Sequence, residues 1–121
     1  MRLPMIIGAA LLVGTGLLAG GSAEAALNQC TGNDTCMWAN NDYGGAFANK
    51  AEGAGTAANV PSSINNAMDS WQNRSGTYGS CGYAGTNGSG DQQQWNASTK
   101  DNNVNAANSD EVSSWRTRYG C

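Results

Sequence analysis

The chain has 121 residues, enough for one domain, with nine Asp/Glu against six Lys/Arg and no histidine. A formal charge of −3 without any basic run argues against a nucleic-acid partner, and no amphipathic basic stretch points to a membrane. The absence of histidine removes the commonest general base and argues against catalysis.

Residues 1–25 read as an export signal. Arg2 precedes an apolar stretch from Pro4 to Ala19, and Ala23-x-Ala25 has the small residues of a signal-peptidase site. The stretch has the length of a signal core and is short for a spanning helix of about 20 residues. Cleavage after Ala25 leaves a secreted domain, residues 26–121, expected to act as a monomer. Only 16 of those 96 residues are large and apolar, a thin supply for a core near the lower size limit of stable domains.

All four cysteines, Cys30, Cys36, Cys81 and Cys121, lie in that domain. An even count in a small exported chain reads as two disulfides. Three pairings are open, and Cys30–Cys36 with Cys81–Cys121 is the expected one. It closes a short first loop and ties Cys121 to the start of the second half. A metal site is disfavoured, because paired C-x-x-C spacings and histidine are both missing.

In chain order, Cys36 to Ala39 reads as a strand with Cys36 and Trp38 on one face and Met37 on the other. Asn40 to Gly45 is turn sequence tolerant of positive φ, and Ala46 to Lys50 is the return strand with Phe47 buried. Ser63 to Trp71 carries Ile64, Met68 and Trp71 at helical spacing, which predicts one or two helical turns. Cys81 to Ala84 is a second strand, Asn87-Gly88 a hairpin signal, and Gln92 to Trp95 the following strand. Trp95, set among Gln92, Gln93, Gln94 and Asn96, is the tryptophan expected at the surface.

The chain also repeats itself. Cys36-Met37-Trp38-Ala39 pairs with Cys81-Gly82-Tyr83-Ala84 at an offset of 45, as Gly45 does with Gly90. Asp69-Ser70-Trp71 pairs with Ser113-Ser114-Trp115 at an offset of 44. Two similar units, about 36–71 and 81–115, therefore pack on one core. Short strands, many turns and an internal duplication predict a mainly β sandwich or Greek-key barrel.

Trp38-x4-Tyr43-x-Gly45 resembles the aromatic-x4-aromatic-x-Gly signature of βγ-crystallin Greek keys. The second copy keeps Tyr83 and Gly90 but has Gly88 in place of the second aromatic, which implies a looser fold-over. Cys30-x5-Cys36-Met37-Trp38, followed by Tyr43-Gly44-Gly45, resembles the exported bacterial peptidase inhibitors of the I36 family. That resemblance implies a disulfide-stabilised double Greek-key sandwich of two ~45-residue motifs. It also implies inhibition of an extracellular protease, with metalloproteases the expected target class, by a rigid loop blocking the cleft in a substrate-like form. The Cys30–Cys36 loop is the best constrained and Tyr78 to Gly90 comes next; the residues do not identify the inhibitory loop.

Many βγ-crystallin domains bind calcium through N/D-N/D-x-x-S/T-S. Asn65-Asn66-Ala67-Met68-Asp69-Ser70 and Ser109-Asp110-Glu111-Val112-Ser113-Ser114 resemble it, with one departure each. The expected ligands are Asn65, Asn66, Asp69, Asp110 and Ser113, since calcium takes oxygen donors. The bland account is that these residues only cap turns. No other cofactor is expected. Two further functions compete with inhibition: a calcium-stabilised structural module, and a toxin-like or carbohydrate-binding module using an exposed aromatic such as Trp95.

Overall fold

The computed structural model describes residues 26–121, so the export signal assigned to residues 1–25 lies outside the described residues. Eight strands build two four-stranded antiparallel sheets. They are β1 (Thr35–Asn40), β2 (Gly44–Lys50), β3 (Ala58–Asn59), β4 (Ser70–Asn73), β5 (Ser80–Tyr83), β6 (Gln92–Trp95), β7 (Thr99–Asp101) and β8 (Ser114–Arg116). The first sheet runs β2-β1-β4-β7 and the second β3-β8-β5-β6.

This order is two Greek keys that exchange a strand. The first unit keeps β1, β2 and β4 and lends β3 to the second sheet. The second keeps β5, β6 and β8 and lends β7 to the first. Each sheet is therefore complete only when both units are present. The duplication offset survives in space: Thr35 and Ser80, 45 residues apart, meet through a buried hydroxyl–hydroxyl hydrogen bond of 2.6 Å between the two sheets.

The core lies between the sheets. Met37, Ala48 and Trp71 come from the first sheet, and Trp95 and Trp115 from the second. Val60, Ile64, Met68, Val104 and Val112 enter from the connections. Trp95 is fully buried at the centre, stacked on Trp71 at 5.4 Å and edge-on to Trp115 at 6.4 Å. The expectation of a surface Trp95 is thus overturned. Strand alternation points Trp95 and Gln93 inward and Gln92 and Gln94 outward, so polar neighbours say nothing about its side of the sheet. Its indole N–H donates to Gln93 Oε1, which removes the cost of burying that donor. Gly82 makes the packing feasible, because a Cβ there would lie 2.8 Å from Trp95 Cζ2.

β1 is buried on both faces. Met37 faces the core, whereas Cys36 and Trp38 face outward beneath a second apolar cluster with Cys30 and Tyr43. Ala26 and Leu27 pack on that cluster, and Trp38 donates its indole N–H to Gln29 Oε1 at 2.8 Å. Phe47 is only half-buried, against Trp38 at 5.3 Å, rather than buried as expected. Cys30 pairs with Cys36, and Cys81 with Cys121. Cys36 and Cys81 are repeat equivalents, so each disulfide straps one flanking segment onto a central strand.

Residues 63–71 are not helical. Two successive turns, Ile64 N–H to Pro61 O and Ala67 N–H to Ile64 O, lead directly into β4. Turns of this pitch bury Ile64 and Met68 as a helix would, and Trp71 reaches the core from a strand instead.

Candidate functional site

The folded-over corners come first, because they fix the surrounding loops. In the first unit Tyr43 stands edge-on to Trp38 at 5.1 Å, with a positive φ of 59°. Ser70 Oγ accepts from Tyr43 N–H and donates to Asn40 O. In the second unit Ser114 Oγ accepts from Gly88 N–H and donates to Gly85 O. The equivalent serines thus lock equivalent corners. Gly88 has φ +75°, the same left-handed region as Tyr43, so glycine removes the strain there along with the ring. Burial, then the Asp101 and Asp42 carboxylates, raises the Tyr43 phenol above its ordinary 10.0.

The Cys30–Cys36 ring presents Thr31, Gly32 and Asn33 to solvent. It is a tight turn, closed by Asp34 N–H to Thr31 O, with Gly32 at φ +58°. Arg74 braces it twice: its backbone N–H donates to Asp34 O, and its Nε donates to Gly32 O at 2.9 Å. Asn49 Nδ2 donates to Asp34 Oδ2 at 2.8 Å. The other candidate, Tyr78 to Gly90, contains the buried strand β5, and its exposed part is the short 3₁₀ turn Thr86–Gly88 with Ser89 and Gly90. Both loops are tied down by hydrogen bonds, the first also by its disulfide, and both tips are turned rather than extended.

The expected calcium ligands fall into two crossed corners. Asn66 and Asp110 are equivalents at φ 57° and 58°; their N–H groups donate to Val112 O and Met68 O respectively. At one corner Ser113 Oγ donates to Asn66 Oδ1 at 2.8 Å, across the two units. Asn65 and Ser113 line a shallow cleft of about 270 Å³ beside it, with Asn59, Val60, Ser62 and Thr86. At the other corner Ser109 Oγ donates to Asp69 Oδ1, and Asp110 follows directly. Calcium takes six to eight oxygens. The Asn66–Ser113 corner offers only neutral oxygens, an amide and a hydroxyl, and no carboxylate, a poor fit. The Asp69–Ser109–Asp110 corner brings carboxylate and hydroxyl oxygens together, and its donor chemistry fits. Among the described residues, no three of His, Cys, Asp and Glu converge on one point. Neither corner holds an orphaned buried side-chain acceptor; Gln72 Oε1 is such an atom, and it lines a different cleft.

A further cluster escaped the sequence reading. Tyr78, Tyr83, Arg116, Arg118 and Tyr119 associate through four guanidinium–ring contacts. The available signal was Arg116-Thr117-Arg118, whose alternation puts both cations on one side of an extended chain.

Comparison with known proteins follows the same outline. The sequence model of peptidase inhibitor family I36 matches residues 23–80, which span the Cys30–Cys36 ring and all of the first unit. No curated protein sequence matches the chain. Among solved structures, the chain resembles a βγ-crystallin from an archaeon at TM-score 0.58 and 16% identity, covering 69% of this chain and 95% of that one. A βγ-crystallin domain from Flavobacterium johnsoniae gives TM-score 0.57 at 18% identity, covering 68% and 90%. One from Clostridium beijerinckii gives 0.55 at 20%, covering 69% and 94%. The fold is therefore that of the βγ-crystallins, and the I36 resemblance of the Cys30–Gly45 region is borne out. The I36 match points to a protein that is not an enzyme.

Proposed function

We propose that this chain, matched to the I36 inhibitors over residues 23–80 and folded as a βγ-crystallin, is a secreted inhibitor of metalloproteases. The observation that carries the reading is the family match, which includes the whole disulfide ring. The rigidity of that ring supports it further. A surface already held by Cys30–Cys36, Arg74 and Asn49 loses little freedom on binding, so more of its contact energy appears as affinity. The ring tip would block the cleft as a turned wedge.

The test is a titration of the oxidised chain from Ala26 to Cys121 against a thermolysin-like metalloprotease, following residual peptidase activity. Saturable one-to-one inhibition is expected, and Asn33→Trp at the exposed tip should weaken it at least ~10-fold without unfolding the domain. An intact, folded and inert protein would remove metalloproteases as the target class.

The calcium-stabilised module is the second reading, favoured by the Asp69–Ser109–Asp110 corner. Asp69, Ser109 and Asp110 would hold the ion, which would tie the two units together there. Calcium at ten times its Kd should stabilise the fold by about 1.4 kcal/mol, a rise in Tm of roughly 5–10 °C. Asp110→Ala should abolish that rise. An unchanged Tm at millimolar calcium would discard this reading. Trp95 is buried, so the sugar-stacking alternative would have to rest on Tyr119 instead.

A further inference from the structure

The outer face of the second sheet carries an ordered file of cations and rings. Its sequence in space is Tyr83, Arg116, Tyr119, Arg118, Tyr78. The guanidinium carbons lie 6.0, 5.8, 4.8 and 5.5 Å from the successive ring centroids. Arg116 points outward because Trp115 and Thr117 on either side are buried. Beyond β8, Tyr119 at φ +71° and Gly120 at φ +57° turn the chain back. Gly120 N–H then donates to Gly79 O, Cys121 joins Cys81, and Arg116 Nε donates to Gly120 O at 2.8 Å. The Tyr119 ring rests on Gly55, where a Cβ would lie 2.8 Å from Cε2.

Holding the fold does not require this face to be open. Yet Tyr119 is 67% exposed and Arg118 is exposed beside it. Ring faces and a carbonyl fix the guanidiniums, and neither kind of partner neutralises a charge. Two of the five Lys/Arg of residues 26–121 are gathered here, in a domain with eight Asp/Glu. Tyr83 is buried and closes the inner end of the file, so Arg116, Tyr119, Arg118 and Tyr78 form its accessible part; neither cleft described above includes any of them. A small molecule needs a concavity, whereas accessible tyrosine and arginine are the residues that anchor protein interfaces.

We propose that this file docks a carboxylate-rich segment of a partner polypeptide. Among the described residues no carboxylate engages either guanidinium, a planar group that matches a carboxylate fork, and the ring contacts have already restricted its rotamers. Because guanidiniums cover ring faces along the file, aromatic platforms for sugar stacking are scarce, which favours polypeptide over acidic polysaccharide. All members except Tyr78 lie outside residues 23–80, so the surface is separate from the inhibitor reading.

Labelled poly-L-glutamate and polygalacturonate, compared at equal carboxylate concentration and about 0.15 M salt, test this by fluorescence anisotropy with the oxidised protein. The expected result is a clear preference for poly-L-glutamate. Arg118→Ala and Tyr119→Ala should each weaken binding at least ~10-fold with the circular dichroism unchanged. Arg118→Lys, which keeps the charge and loses the planar stack, should recover little, and Lys100→Ala should bind normally. Equal or tighter binding of polygalacturonate, full recovery by Arg118→Lys, or no binding of either polymer would overturn the proposal. Peptidase inhibition is a separate readout, which Arg118→Ala should leave unchanged.

Discussion

Trp95→Ala should cost about 3–5 kcal/mol, a large share of the 5–15 kcal/mol that stabilises a typical domain. Trp95 packs against a tryptophan of each sheet, Trp71 and Trp115, and it is fully buried. Its removal leaves a cavity that Gly82, with no side chain, cannot fill. It also strands Gln93 Oε1 without its indole donor. Trp95→Phe should cost less, because it keeps most of the volume while losing the N–H. Urea unfolding followed by circular dichroism measures both. A loss below ~1 kcal/mol for Trp95→Ala would mean that the sheets do not depend on this residue.

Removing the second disulfide by Cys81→Ala with Cys121→Ala should cost about 4 kcal/mol, against about 2 kcal/mol for Cys30→Ala with Cys36→Ala. The sequence separations are 40 and 6 residues, and the longer loop restricts the unfolded chain more. Chemical unfolding of the two double variants, each with its remaining bridge oxidised, gives the comparison. The reverse order would show that strapping residues 26–30 over Trp38 matters more than loop length. Loss of Cys81–Cys121 also frees the segment that carries Tyr119, so acidic-polymer binding should fall in that variant and persist in the other.

Much of the architecture was legible. The offsets of 45 and 44 identified both units, and the structure keeps them down to paired backbone angles at Asn66 and Asp110. The corner glycines, Gly45 and Gly90, both have φ +80°. Local chemistry dictates these features, because few residues accept left-handed backbone and repeats fold alike. The Ser63–Trp71 stretch misled because turns at near-helical pitch bury the same positions as a helix. Phe47 misled because a strand's alternation does not say whether the outer face is covered.

The calcium motif and the Arg–Tyr file mark the limit more sharply. Two local motifs were legible, but their oxygens cross over: Ser113 meets Asn66, and Ser109 meets Asp69. No spacing within one unit reveals that exchange. Likewise Tyr83 meets Arg116 through the pairing of β5 with β8, and Tyr78 meets Arg118 where the chain beyond β8 lies along β5, contacts more than 30 residues apart in sequence.

What the sequence determined by itself is therefore local: the turns, the alternation within strands, the duplication and the disulfide-dependent class of fold. What tertiary structure decided is non-local: which face of each strand is covered, which tryptophan sits at the centre and which polar groups meet. The reason is physical. Turn chemistry and strand alternation act within a few residues, whereas the exchange of β3 and β7 between sheets brings together residues about 40 or more positions apart.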